Sequence, residues 1–74
     1  NPSTVIEIAI PKSRYVDLRI YNIRGREVAT LVSENLNQGF YSFKFISRDL
    51  SSGIYYYRMV SGDYVAVKKM ILLR

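Results

Sequence analysis

The chain contains neither cysteine nor histidine among its 74 residues. Without cysteine, no disulfide can staple the core and no thiol can act as a nucleophile. Without histidine, the Ser-His-Asp and Cys-His arrangements fall away, along with imidazole acid–base catalysis and every common zinc site. Tryptophan is absent too, and proline occurs only at positions 2 and 11. No run of about 18 apolar residues is present, so no segment reads as a membrane-spanning helix and no membrane insertion is expected. The opening Asn1-Pro2-Ser3-Thr4 lacks the basic start and apolar stretch of a secretory signal peptide. If the domain is exported, the export signal is expected upstream in a longer precursor.

Acidic residues are also few. The six carboxylates, Glu7, Asp17, Glu27, Glu34, Asp49 and Asp63, fall singly on outer strand faces or in turns, and none is placed to share a proton with another. The four glycines form neither G-x-G-x-x-G nor a P-loop. No catalytic residue, metal ligand or cofactor is therefore expected, and the chain does not read as an enzyme.

What the sequence does have is apolar and aromatic side chains, 49% hydrophobic with seven Tyr and three Phe. At this length folding buries only roughly 60–65% of the surface of the unfolded chain, enough for one domain over residues 1–74. Eleven basic residues give a formal charge of +5. They are scattered from Lys12 to Arg74, with only Lys68 and Lys69 clustered near the end. Such scatter reads as a solvated surface that discourages edge-to-edge pairing, with no nucleic acid partner.

Apolar side chains recur with period two between turn residues, the mark of half-buried strands. Thr4 to Ile10 places Ile6, Ile8 and Ile10 on one face. Pro11 then stops the ladder, having no N–H to donate. Tyr15 to Asn22 turns Val16, Leu18 and Ile20 inward. Gly25 serves the next turn, Glu27 to Val32 is a short strand, and Ser33 to Gln38 is a polar loop. Phe40 to Phe45 and Ile54 to Val60 follow, and Ser61-Gly62-Asp63 leads into a last strand from Tyr64 to Leu73. In that strand Val65 and Val67 have one phase, Met70 and Leu72 the other, so a bulge or a sheet-crossing bend near Lys68 is expected. The pattern predicts an all-β, antiparallel Greek-key sandwich of six or seven strands, immunoglobulin-like in type.

Tyr55-Tyr56-Tyr57-Arg58 is the feature most open to a binding role, since aromatics beside a cation can stack bases or sugars. In a strand, however, Tyr55 and Tyr57 share a face with Met59 and line the core, leaving Tyr56 and Arg58 outside. A passive or carbohydrate-binding accessory sandwich of a secreted enzyme remains the alternative function, with Tyr21, Tyr56 and Tyr64 as the candidates for an outward aromatic row.

Several segments together resemble a known family. Asn1-Pro2-Ser3-Thr4 leads into a β run closed by Pro11, and Ile20-Tyr21-Asn22 ends the next. Gly25, Glu27-Val28, Leu31 and Gly39-Phe40-Tyr41 follow, then Leu50 to Arg58 reading L-S-S-G-I-Y-Y-Y-R. Lys68-Lys69-Met70-Ile71-Leu72-Leu73-Arg74 closes the chain. In order and spacing this is similar to the type A C-terminal sorting domain of proteins secreted by the type IX system of Bacteroidetes. Phe45 stands where that family often carries tryptophan. The family pattern also begins a few residues earlier with a second Asn-Pro, so a trimmed N-terminal edge is expected.

The resemblance implies a non-catalytic sorting signal. It would follow an N-terminal cargo, transit the periplasm, and be recognised by outer-membrane translocon components. A sortase-like protease would then act, leaving the cargo secreted or at the cell surface. It implies recognition through Lys68, Lys69, Met70, Leu72 and Arg74, with Gly53, Tyr55 and Tyr57 supporting the fold. A monomer is expected rather than a dimer.

Overall fold

A computed structural model describes residues 3–46 and 49–73. Six strands follow in order: β1 (Ser3–Ile10), β2 (Arg14–Asn22), β3 (Glu27–Leu36), β4 (Gly39–Ile46), β5 (Gly53–Ser61) and β6 (Tyr64–Leu72). They form two antiparallel sheets, β1-β4 and β3-β2-β5-β6. In immunoglobulin nomenclature the pair occupies the places of strands B and E, and the larger sheet those of C′, C, F and G. The fold is an all-β sandwich, as the alternation predicts.

The inward phases close the core. Ile6, Ile8 and Ile10 from β1 and Phe45 from β4 face Val16, Leu18, Ile20, Val32, Tyr55, Met59 and Leu72 from the larger sheet. Strand β2 lies between β3 and β5, and its three inward side chains are fully buried. Phe45 is itself buried, so a smaller aromatic fills the place where tryptophan is common in the resembled family.

Turn chemistry fixes the hairpins. The Asn22 side-chain oxygen accepts from the backbone N–H of Arg24 and Arg26, at 2.9 and 3.0 Å. Gly25, at φ 83°, donates to the Asn22 carbonyl. Gly62, at φ 61°, begins the two-residue turn that pairs Ser61 with Tyr64.

Two expectations are corrected. Strand β3 continues to Leu36, through the segment expected to be a polar loop. Its Ser33, Glu34 and Asn35 are exposed along the sheet edge, while Leu36 at its end packs against the core. Neither the bulge nor the sheet-crossing bend expected near Lys68 occurs: β5 and β6 pair without interruption from Gly53↔Leu72 to Ser61↔Tyr64. The register shifts fall instead between β2 and β3, at Leu18/Arg19 and Ile20/Tyr21. Strand β6 keeps a single phase because Val65, Val67 and Ile71 are exposed on the outer face, 52%, 57% and 64% accessible.

Candidate recognition surface

Among the described residues, strand β6 is an edge of the four-stranded sheet, bonded on one side to β5. Its even-numbered side chains share the inner face of the sheet and its odd-numbered ones the outer face, as strict pairing requires. The candidate recognition residues therefore divide. Leu72 is 2% exposed, opposite Gly53, and Met70 is half-buried opposite Tyr55. Lys68 and Lys69 are both exposed but on opposite faces, Lys68 across from Tyr57 and Lys69 across from Tyr56. Arg74 lies outside the described residues.

The three fold-supporting candidates lie on the inner phase of β5. Gly53 opens the strand at φ 150°, in the region that favours glycine. Tyr55 is buried, and its hydroxyl donates to the Ser51 carbonyl at 2.8 Å. A tyrosine near the start of this strand, bonded back to backbone a few residues upstream, is the tyrosine corner of immunoglobulin-like sandwiches. Tyr41 makes the same reach to the Asn37 carbonyl at 2.6 Å. Tyr57 is only half-buried, because the two-stranded sheet does not cover the full inner face of the four-stranded one.

That shortfall leaves a groove of about 680 Å³ between β1 and the inner face of β5 and β6. Its apolar lining includes Ile8, Tyr57, Met59, Tyr64 and Ala66, and Lys12, Arg14 and Lys68 stand in it against Glu7. The Arg14 guanidinium is anchored by donating to the Ser61 carbonyl at 3.2 Å. Composition and motif reading did not find this groove. The signal available was the shared phase of Tyr64, Ala66 and Lys68 with Met70 and Leu72, obscured by the apolar Val65 and Val67.

On the outer face, Arg19 bonds Asp17 and Glu27, both at 2.8 Å, and Thr30 donates to Glu27 at 2.9 Å. The Arg19 bond, then that of Thr30, holds the Glu27 carboxyl below its ordinary range, while the two acids push Arg19 further up. Tyr21 and Tyr56 are cross-strand neighbours on this face. Tyr64 belongs to the opposite face, in the groove, so the expected row of three outward aromatics does not form. Among the described residues no cluster of carboxylates suits a metal ion.

A family model described as a secretion system C-terminal sorting domain matches residues 1–73. No curated protein and no solved structure matches the chain. The match spans nearly every residue, and the chain belongs to this family of sorting domains. It is a sorting signal of type IX secretion, a role that implies an attached N-terminal cargo, interaction with the type IX machinery, and export to the cell surface or beyond.

Proposed function

We propose that the domain carries its cargo from the periplasm through the outer-membrane translocon by presenting the folded β6 strand, and that it performs no reaction itself. Support comes from the position of β6: it is a sheet edge whose backbone is open to pairing, with Lys68 and Lys69 exposed along it. An open edge can be extended by a strand of a partner, and adjacent cations select an acidic surface. In this reading Lys68, Lys69 and Arg74 meet the translocon, while Met70 and Leu72 hold the strand in register. A sortase-like protease then separates domain and cargo, which is released or retained at the surface. The absence of histidine and cysteine supports the non-catalytic part.

The test is secretion of a periplasm-targeted fluorescent reporter fused ahead of residues 1–74, in a bacterium carrying the type IX system. A companion fusion lacks residues 68–74. Reporter outside the cell with the whole domain, and held in the periplasm without the last segment, is the expected result. Equal secretion of both fusions would overturn the assignment of recognition to β6.

A further inference from the structure

We propose that the outer face of β5 and β6 docks a flat, acidic protein surface of the secretion machinery, with Arg58 and Lys69 as its paired anion contacts. On the premise of the sorting role, recognition then extends from the edge of β6 to the face beside it. On that face Val65, Val67 and Ile71 of β6 are exposed, and the exposed Ile54 of β5 stands directly opposite Ile71. An apolar row along an edge strand invites unwanted pairing, and folded proteins seldom leave one bare unless a partner covers it.

The charges on this face are unanswered. Arg58 pairs with Val67, and Lys69 lies two residues further along β6, so the two cations are diagonal neighbours within the apolar row. Strands β5 and β6 contain no carboxylate, and neither cation has an ion pair among the described residues. The other half of the same face differs, for there Arg19 of β2 is held by Asp17 and Glu27. A cation kept only for solubility needs no apolar surround. Two set diagonally among β-branched side chains suit a partner that brings both carboxylates and apolar surface.

Two other occupants fit this chemistry less well. A second copy docked through the same half brings cations to cations and no acid, since its own β5 and β6 lack carboxylates as well. A lipid surface takes anchors such as Trp, Phe and Leu. Val65, Val67, Ile71 and Ile54 are instead short, stiff β-branched side chains, which pack flat against a matching surface. A protein face with apolar residues around two acids answers both features, and the sorting role requires a partner in the machinery.

The experiment uses the whole precursor, cargo attached, in a bacterium carrying the type IX system. The photo-crosslinking residue p-benzoylphenylalanine replaces the exposed Val67, and crosslinked species are identified by mass. The expected product joins the precursor to a protein of the secretion machinery; Arg58→Glu abolishes it and Arg58→Lys retains it. Secretion should fall at least about tenfold with Arg58→Glu, which sets like charges together. It should fall as far with Val65→Thr, Val67→Thr and Ile71→Thr combined, which removes apolar contacts but keeps strand-forming residues. Arg24→Glu, reversing an exposed charge in the β2–β3 turn, should secrete at the natural level. Hydrogen exchange of β2 amides in the same precursors shows whether each variant is folded. A crosslink to lipid or to a second copy, or none at all, would overturn the docking face, as would natural secretion of either face variant. If a face variant unfolds, the crosslink made in the natural fold decides alone. The fusion lacking residues 68–74 is measured alongside. Its retention beside natural secretion of the face variants refutes the docking face and leaves the sorting role standing.

Discussion

Leu72→Ala and Lys69→Glu, three residues apart on one strand, should separate folding from recognition. Leu72 is 2% exposed and belongs to the buried cluster. Truncating a buried leucine to alanine costs roughly 2–5 kcal/mol, from lost transfer energy and the cavity left behind. Leu72 ends an edge strand, where neighbours can relax, so the lower part of that range applies, about 2–3 kcal/mol. A domain of this length has roughly 4–11 kcal/mol of stability in all, so this one change removes a large share. With a urea slope of about 1 kcal/mol/M for so small a domain, the unfolding midpoint should fall by roughly 2–3 M. Lys69 is exposed on the outer face, and reversing its charge should leave the midpoint within about 0.5 M. Both variants should impair secretion of a fused reporter, but only Leu72→Ala should do so through loss of the fold. A Leu72→Ala midpoint within about 0.5 M of the natural one would refute the core assignment. Natural secretion by Lys69→Glu would refute its part in recognition.

Two further outcomes follow from the turns and the outer face. Asn22→Ala removes the acceptor of two backbone N–H groups in the β2–β3 turn and should cost about 1 kcal/mol, read as a lower urea midpoint at unchanged slope. Glu27 is held below its ordinary pKa of 4.5 in the folded chain, chiefly by Arg19. Its contribution is therefore complete above that ordinary value and disappears as pH falls through the lower folded one. Midpoints of the natural domain and Glu27→Gln should differ at neutral pH and converge in acid; a constant gap across the series would show that the carboxylate's ionisation plays no part.

The strands were legible where alternation had an apolar partner to answer it. Ile6, Ile8 and Ile10 in β1, and Val16, Leu18 and Ile20 in β2, are buried as their spacing predicts. The far half of β3 was not legible, because Ser33, Glu34 and Asn35 pair with β2 through the backbone while their side chains face water. A polar stretch with no apolar alternation gives no strand signal, even where the backbone pairs. Strand β6 misled in the opposite way. Val65 and Val67 look like core residues by type, but apolar type does not guarantee burial, since much of a folded surface is still apolar. The candidate recognition residues came from family resemblance, which could not tell that adjacent lysines would point to opposite faces. The groove was illegible because it joins residues from 7 to 68 and exists only once the sheets have packed.

The period of two in β6 gives the sorting signal a structural logic. In an unfolded chain Lys68 and Lys69 would be adjacent charges with no fixed relation to Met70 or Leu72. Pairing with β5 sends the two lysines to opposite faces and places Leu72 in the core. A partner that reads β6 as an added strand needs that register, which is set by pairing with β5 and supported by the burial of Leu72 and the bond of Tyr55 to Ser51. Under the proposed role, recognition is then coupled to the folded state, and a misfolded domain presents no usable edge. Tyr55→Phe tests this coupling, because it deletes one hydroxyl, bonded to Ser51, and leaves both lysines in place. Loss of its bond to the Ser51 carbonyl should cost about 1 kcal/mol. Secretion should fall in proportion to the unfolded fraction as growth temperature rises. Secretion that stays at the natural level in cells where the Tyr55→Phe domain is measurably unfolded would mean that the signal is read as a linear segment.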